Sequence, residues 1–137
     1  MYFACATVQD NQHHGSTKLH MDITDATNLM LYAANCRDGW PGYAVWHIFC
    51  AIDTFLLRKF VREYCGFMGP GDPIHLQSVY LTPNLLELLF RMYGIRPYTI
   101  YHYPNQVVYI PAYCAHQVSY GANVCVPLLT YRHRWRI

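Results

Sequence analysis

The chain has 137 residues, of which 53% are hydrophobic and 13% are charged, and its formal net charge is +2 at pH 7. Such a chain can bury one hydrophobic core, and its composition excludes a long disordered protein and a nucleic-acid binder that relies on charge alone. We find no secretory signal and no stretch apolar enough to span a membrane, so we expect an intracellular protein that is not secreted.

The first part of the chain is predicted to be rich in strands. Short apolar runs with β-branched residues predict strands at residues 19–23 and 28–34, joined by a turn at 24–26. A loop rich in glycine and proline follows, and a third strand is expected at 42–51.

The middle of the chain has a helical period. Asp53 is expected to cap a helix that ends before Gly66, and a loop is expected at residues 69–73. A second helix should begin at Pro83 and end at Gly94. The apolar face of the first helix should consist of Leu56, Leu57, Phe60, Val61 and Tyr64.

Short β-rich runs return at the end of the chain, at residues 98–103, 106–111, 115–120 and 123–131. Many short strands with an inserted helical segment predict a mainly β fold, either a cupin-like jelly roll or a double-stranded β-helix. A parallel α/β fold fits less well, because strands and helices do not alternate.

Six cysteines are present, and none is spaced as a CxxC pair, so the sequence does not indicate a structural zinc knuckle. Several lie in apolar runs, where a thiol behaves as a small hydrophobic group. We therefore expect free thiols in a reducing compartment. They are Cys5, Cys36, Cys50, Cys65, Cys114 and Cys125.

Three residues form a candidate metal site. His20 and Asp22 are two residues apart, so in a strand they would share one face. A carboxylate in apolar surroundings needs a compensating charge, which a divalent metal supplies. His116, at the start of a later strand, is a candidate third ligand, and two histidines with one carboxylate are typical of iron(II) oxygenases.

Plainer interpretations remain open for these histidines. The H-x-D pattern also arises by chance, and a single histidine in a strand is more often a hydrogen-bonded core residue than a ligand. The remaining candidates are expected to be structural or exposed. They are His13, His14, His47 and His75.

Four segments together resemble one family: GSTKLHMDITDATNLMLYA, AVWHIFCAIDTFLLRKFV, GDPIHLQSVYL and VVYIPAYCAHQV. They are similar to the JmjC-domain dioxygenases, and within them to the histone lysine-9 demethylases and their fungal relatives. The resemblance extends over most of the chain, from about residue 2 to about residue 120. It implies a single JmjC-like domain at residues 1–137, truncated at both ends.

The resemblance also implies a site and a function. Iron(II) would be held by His20, Asp22 and His116, and 2-oxoglutarate would contact Thr17 and Asn28, with no catalytic side chain beyond the metal ligands. The expected reaction uses dioxygen to demethylate methyl-lysine in a protein substrate. The expected substrate is a histone tail, and the expected location is the nucleus. No sequence-specific binding of nucleic acid and no membrane association are expected.

One departure from the family concerns the cation that pairs with the distal carboxylate of 2-oxoglutarate. The family branch carries a lysine on its last strand, where this chain has Val126. A charge-assisted contact is worth roughly 1.5 to 3 kcal/mol, so its loss would weaken affinity by about tenfold to a hundredfold. The alternative function is therefore a catalytically impaired JmjC-like binding module, which the 13 tyrosines also favour.

Overall fold

The computed structural model describes the backbone of residues 2–4, 16–35, 39–120 and 126–132, and the side chains of residues 16–35 and 39–120. Within these ranges the chain forms eight strands and two α-helices. The strands are β1 (Tyr2–Ala4), β2 (Thr17–His20), β3 (Ala26–Met30), β4 (Ala44–Ile48), β5 (Tyr98–His102), β6 (Val107–Ile110), β7 (His116–Tyr120) and β8 (Val126–Arg132). The helices are α1 (Thr54–Tyr64) and α2 (Pro83–Tyr93), and both lie between β4 and β5 in the chain.

The strands form two four-stranded antiparallel sheets. The first has the order β1-β8-β3-β6, and the second has the order β2-β7-β4-β5. The predicted mainly β fold with an inserted helical segment is confirmed at this level.

The second sheet has a hydrophobic cluster on each face. The cluster between the two sheets contains alternate residues of β3, β4, β6 and β7, including the almost fully buried Trp46. The cluster on the opposite face joins Leu19 of β2 to both helices and to the loop between them.

The helix predictions from local signals agree well with the structure. Helix α2 begins at Pro83, the Thr82 side chain accepts a hydrogen bond from the N–H of Leu85, and Gly94 ends the helix with a φ of 69°. Glycine adopts this left-handed conformation without the steric cost that a Cβ brings.

Helix α1 shows one difference from its prediction. Asp53 precedes the helix, but its side chain makes no capping hydrogen bond. The reason is that Asp53 belongs to a short 3₁₀ turn at Ala51–Asp53 and has helical dihedral angles, whereas a capping residue needs an extended backbone. The predicted apolar face is buried at Leu57, Phe60 and Val61.

The strands of the first half differ from prediction by two to four residues at their ends. Residues 19–23 were expected to form one strand, but β2 ends at His20, and the expected strand at 28–34 begins earlier, as β3. The strand expected at 42–51 is shorter, because the 3₁₀ turn follows β4.

Three of the six cysteines lie in the described part of the chain, and all three are free thiols: Cys50, Cys65 and Cys114. Burial raises the pKa of the Cys65 thiol to about 11, which keeps it protonated at neutral pH. No described helix has the length and apolar character needed to cross a bilayer.

Asp72 organises the loop between the two helices. One carboxylate oxygen accepts hydrogen bonds from the N–H groups of Ile74 and His75, and the other lies 2.6 Å from Nε of Arg58. Burial acts to raise the pKa of Asp72, but these hydrogen bonds and the Arg58 charge outweigh it, so the pKa lies below its ordinary value of 3.8.

Asp72→Asn is therefore expected to lower the free energy of unfolding at pH 7 by about 1 to 2 kcal/mol, a range discounted for partial exposure. Because the folded pKa is the lower one, this stabilisation is present above pH 3.8 and is lost as the pH falls through the folded pKa. Urea unfolding at pH 7 and at acidic pH measures the difference. Glu87→Gln, which breaks an exposed pair with Arg91, is the control and should change stability by less than about 0.5 kcal/mol. A deficit of Asp72→Asn that persisted unchanged in acid would contradict the account.

Candidate metal centre

Strand pairing brings two of the three candidate ligands together. In the antiparallel pair of β2 and β7, His20 lies directly opposite His116. Their ring centroids are 4.2 Å apart, and the ring planes are inclined by 57°. Both rings therefore belong to one site, although the two residues are distant in sequence.

Asp22 reaches the same site by a different route. It lies beyond the end of β2, and its carbonyl oxygen accepts a hydrogen bond from the N–H of Tyr113, in the turn before β7. The same turn is held by Asp25, whose carboxylate accepts the N–H of Ala112 at 2.8 Å. The segment after β2 is thus attached to the turn that leads into His116.

The three candidate residues form a compact cluster of donor atoms. One ligand atom from each of His20, Asp22 and His116 lies within 4.8 Å of the others, and this is a possible metal-binding triad. His116 is 3% exposed, whereas His20 and Asp22 are half-buried. The cluster therefore has an open side and a buried side.

Backbone carbonyls fix both imidazole rings. Nδ1 of His20 donates to the carbonyl of Lys18 at 2.8 Å, and Nδ1 of His116 donates to the carbonyl of Cys114 at 3.0 Å. A carbonyl can only accept, so each neutral ring carries its proton on Nδ1 and its lone pair on Nε2. Outer hydrogen bonds of this kind orient the histidine ligands of metal sites.

The surroundings of His116 lower its pKa and so favour the neutral ring. Burial and the neighbouring His20 lower its pKa to about 4, against opposing effects of the Cys114 carbonyl and Asp22. The ring is therefore neutral at physiological pH, which is the form that binds a metal.

Trp46 covers the buried side of the site. Its ring centroid lies 6.0 Å from that of His116, and its Nε1 donates to Nδ1 of His102 at 3.2 Å. Nε2 of His102 in turn donates to the carbonyl of Gln106. This chain of hydrogen bonds satisfies the buried polar atoms of Trp46 and His102 and fixes the wall beside His116 in position.

Gln117, the neighbour of His116, is fully buried on the opposite face of β7. Its amide oxygen accepts the N–H of Leu81, and its amide nitrogen donates to the Leu81 carbonyl and to Nδ1 of His47. The side chain thus joins the strand of His116 to the segment that leads into α2.

Thr17 and Asn28 lie near the interior between the sheets. Thr17 Oγ1 is 3.4 Å from the hydroxyl of Tyr120, and burial raises the pKa of that tyrosine. Asn28 is 5% exposed, and within residues 16–35 and 39–120 its side-chain amide has no hydrogen-bond partner. A buried side-chain amide offers both a donor and an acceptor, so this position suits a polar ligand.

The other predicted residues lie away from the cluster or outside the described side chains. His47 is bonded to Gln117, and burial lowers its pKa, whereas His75 is exposed beside Asp72. The side chains of three further predicted residues, His13, His14 and Val126, lie outside the description. Trp46, Tyr120, Gln117 and Asp25 were not predicted from the sequence, and the signal available there was their position at, or within two residues of, a strand end.

Comparison with known proteins adds an independent finding. The family model described as JmjC domain, hydroxylase matches residues 10–126. Lysine-specific demethylase 3A of Mus musculus is 32% identical over 143 residues, a match that covers 80% of this chain and 11% of that protein.

Two further relatives agree with this match. Lysine-specific demethylase 3 of Drosophila melanogaster is 33% identical over 141 residues, covering 77% of this chain and 16% of that protein. A human protein named as a probable JmjC domain-containing histone demethylation protein 2C is 24% identical over 140 residues, covering 77% of this chain and 6% of its own length. This chain therefore spans only a small part of the length of these relatives.

Proposed function

Because the chain belongs to the JmjC-domain family, whose model matches residues 10–126, we propose that it is an iron(II)- and 2-oxoglutarate-dependent dioxygenase. Its substrate is a protein side chain, and the favoured reaction is demethylation of methyl-lysine in a histone tail, in the nucleus. The names of the relatives, lysine-specific demethylases, support this substrate class.

The strand order supports a double-stranded β-helix made by one JmjC-like domain. The chain passes between the two sheets at almost every connection, since β1, β3, β6 and β8 form one sheet and β2, β4, β5 and β7 form the other. The metal cluster lies where β2 ends and β7 begins, and the end of such a barrel is a common place for a ligand site.

The single observation that carries the proposal is the cluster of His20, Asp22 and His116. Two imidazoles and one carboxylate suit iron(II), and three protein ligands would leave positions for a bidentate cosubstrate and dioxygen. Bound there with 2-oxoglutarate, iron supplies the oxidising power that the side chains of the protein lack. The chain itself orients the two rings through the carbonyls of Lys18 and Cys114.

Thr17 and Asn28 are the proposed contacts of 2-oxoglutarate. Thr17 offers a hydroxyl beside Tyr120, and Asn28 offers a buried amide, so each can donate a hydrogen bond to a carboxylate. Trp46 adds a buried aromatic wall beside His116, and hydrogen bonds are stronger in such low-polarity surroundings than in water.

Thr17→Val keeps the shape of the side chain and removes its hydroxyl. We expect the KM for 2-oxoglutarate to rise by roughly two- to tenfold, the worth of one hydrogen bond, while the affinity for the metal stays unchanged. Thr99→Val, on the exposed part of β5, is the matched control and should leave both values as they are. An unchanged KM in Thr17→Val would remove Thr17 from the cosubstrate site.

The proposed activity is tested with the full chain, iron(II), 2-oxoglutarate, dioxygen and methylated histone-tail peptides. We expect succinate and formaldehyde to form, and mass spectrometry should show that the peptide has lost methyl groups. The variant Asp22→Ala should form neither product and leave the peptide methylated. Peptide hydroxylation without formaldehyde would change the reaction but keep the enzyme class. Metal binding without succinate would favour the impaired binding module, in line with the absence of a lysine at Val126.

A further inference from the structure

Three tyrosine rings cluster on the outer face of the second sheet, away from the metal centre. The Tyr43 ring centroid lies 5.7 Å from that of Tyr101 and 5.7 Å from that of Tyr103. The ring planes are inclined by 59° in the first pair and 48° in the second, so the rings are tilted against one another and do not stack face to face. We refer to these three residues as the tyrosine cluster.

Strand register explains how the cluster forms. Ala44 of β4 pairs with His102 of β5, which sets Tyr43 beside Tyr103, and Val45 pairs with Tyr101. Ala44 and His102 are buried, so their neighbours in sequence face outward. Because β5 is an edge strand, nothing in the sheet covers the cluster from that side.

The cluster is exposed in a way that sheet packing alone does not require. Tyr101 is 57% exposed and Tyr103 is 37% exposed. Within residues 16–35 and 39–120, none of the three phenol groups makes a hydrogen bond. Three aromatic side chains are thus held together, Tyr43 half-buried and the other two with a large part of their surface facing solvent.

Elsewhere the chain covers aromatic faces with its own cations. Arg96 lies 3.6 Å from the Phe90 ring centroid, and Arg62 and Lys59 lie over other rings. No cation in the described side chains lies over the tyrosine cluster. Its rings have negative faces, and a cation placed between several such faces is stabilised by all of them.

We propose that the tyrosine cluster binds a methylated ammonium group from outside the chain. Methylation spreads the positive charge over a bulky, weakly hydrated group, which aromatic faces prefer to a bare ammonium. The group that carries this ammonium is a methylated lysine of a bound peptide, and this choice rests on the proposed function. The binding of a methylated ammonium to the tyrosine cluster does not depend on the proposed function.

The cluster is distinct from the reacting site. His116 pairs with Ile48, at the other end of β4 from Tyr43, and five residues of extended strand span roughly 17 Å. The cluster also lies on the opposite face of the sheet from His116. A lysine held there is therefore not the lysine that reacts, and the cluster would anchor a second modified residue.

The test uses two probes of the same shape. Choline carries a quaternary ammonium, and 3,3-dimethyl-1-butanol replaces it with a neutral tert-butyl group. NMR titration of the full-length chain should show the tyrosine ring signals shifting with choline and not with the neutral probe. Equal responses to both probes would overturn the proposal, because ordinary apolar contact would then explain them.

Substitutions of single tyrosines test whether choline binds at the tyrosine cluster. Tyr101→Leu should weaken choline binding by about two- to fivefold, the contribution of one ring, whereas Tyr101→Phe should retain it. Tyr98→Leu, an exposed tyrosine on the same strand outside the cluster, is the matched control and should have no effect. Undiminished choline binding in Tyr101→Leu would overturn the assignment, and if that variant fails to fold, the comparison of the two probes on the unaltered chain decides.

A further variant separates this proposal from the proposed function. Asp22→Ala should lose metal binding and keep choline binding. Loss of both would contradict an independent cation site. Choline binding in a chain without oxygenase activity would preserve the cation site and remove the ground for a methyl-lysine carrier. Oxygenase activity without choline binding would reject the cation site and leave the proposed function intact.

Discussion

His116→Ala is expected to abolish the binding of manganese(II), a redox-inert substitute for iron(II). His116 is the most buried of the three candidate ligands, and it is already neutral, with a pKa of about 4. No water can easily replace its nitrogen on the buried side of the cluster. The loss of one ligand of three should therefore exceed the roughly hundredfold loss that the removal of an outer partner causes.

Calorimetric titration of metal-free protein measures this effect. His75→Ala is the matched control, because His75 is exposed and lies outside the cluster, and its manganese affinity should equal that of the unaltered chain. Circular dichroism of each variant checks that the fold persists. Tight manganese binding by folded His116→Ala would contradict the assignment of this residue as a ligand.

Gln117→Leu is expected to lower the free energy of unfolding by about 2 to 5 kcal/mol, since it leaves two buried backbone groups of Leu81 without partners. The leucine fits the space, so the loss comes from hydrogen bonds and not from a cavity.

His47→Ala removes only one of the partners of Gln117, and its hydrogen-bond cost should be about 1 kcal/mol.

The matched control for this change is Gln106→Leu. Gln106 is exposed, and its side chain accepts the N–H of Tyr103, which water can satisfy instead. We expect a loss below about 1 kcal/mol in urea unfolding. Equal losses in Gln117→Leu and Gln106→Leu would show that Gln117 does not hold the two segments together.

Local signals were sufficient for the helices and for the general class of the fold. Pro83, Thr82 and Gly94 lie within one helix and its caps, so the ends of α2 follow from neighbours in sequence. The alternation of short apolar runs likewise indicated strands. The order of the strands in the two sheets involves pairs distant in the chain, and a period of two carries no information about such partners.

The candidate site shows the same limit. The H-x-D pattern drew attention to His20 and Asp22, which the structure brings together with His116, but the reason given for it does not hold, since β2 ends at His20. Asp22 is positioned by the N–H of Tyr113, a contact across ninety-one residues of sequence that no local pattern contains. Gln117 and Trp46 were missed because their partners are similarly distant.

The most direct test of the central assignment is a sequential thermal-shift titration of anaerobic protein with manganese(II) and then 2-oxoglutarate. Ligands that bind the native state raise the unfolding midpoint by mass action. The account predicts a rise with the metal, a further rise with 2-oxoglutarate that depends on the metal, and neither rise in His116→Ala. No rise with manganese in the unaltered chain would contradict the metal centre at His20, Asp22 and His116.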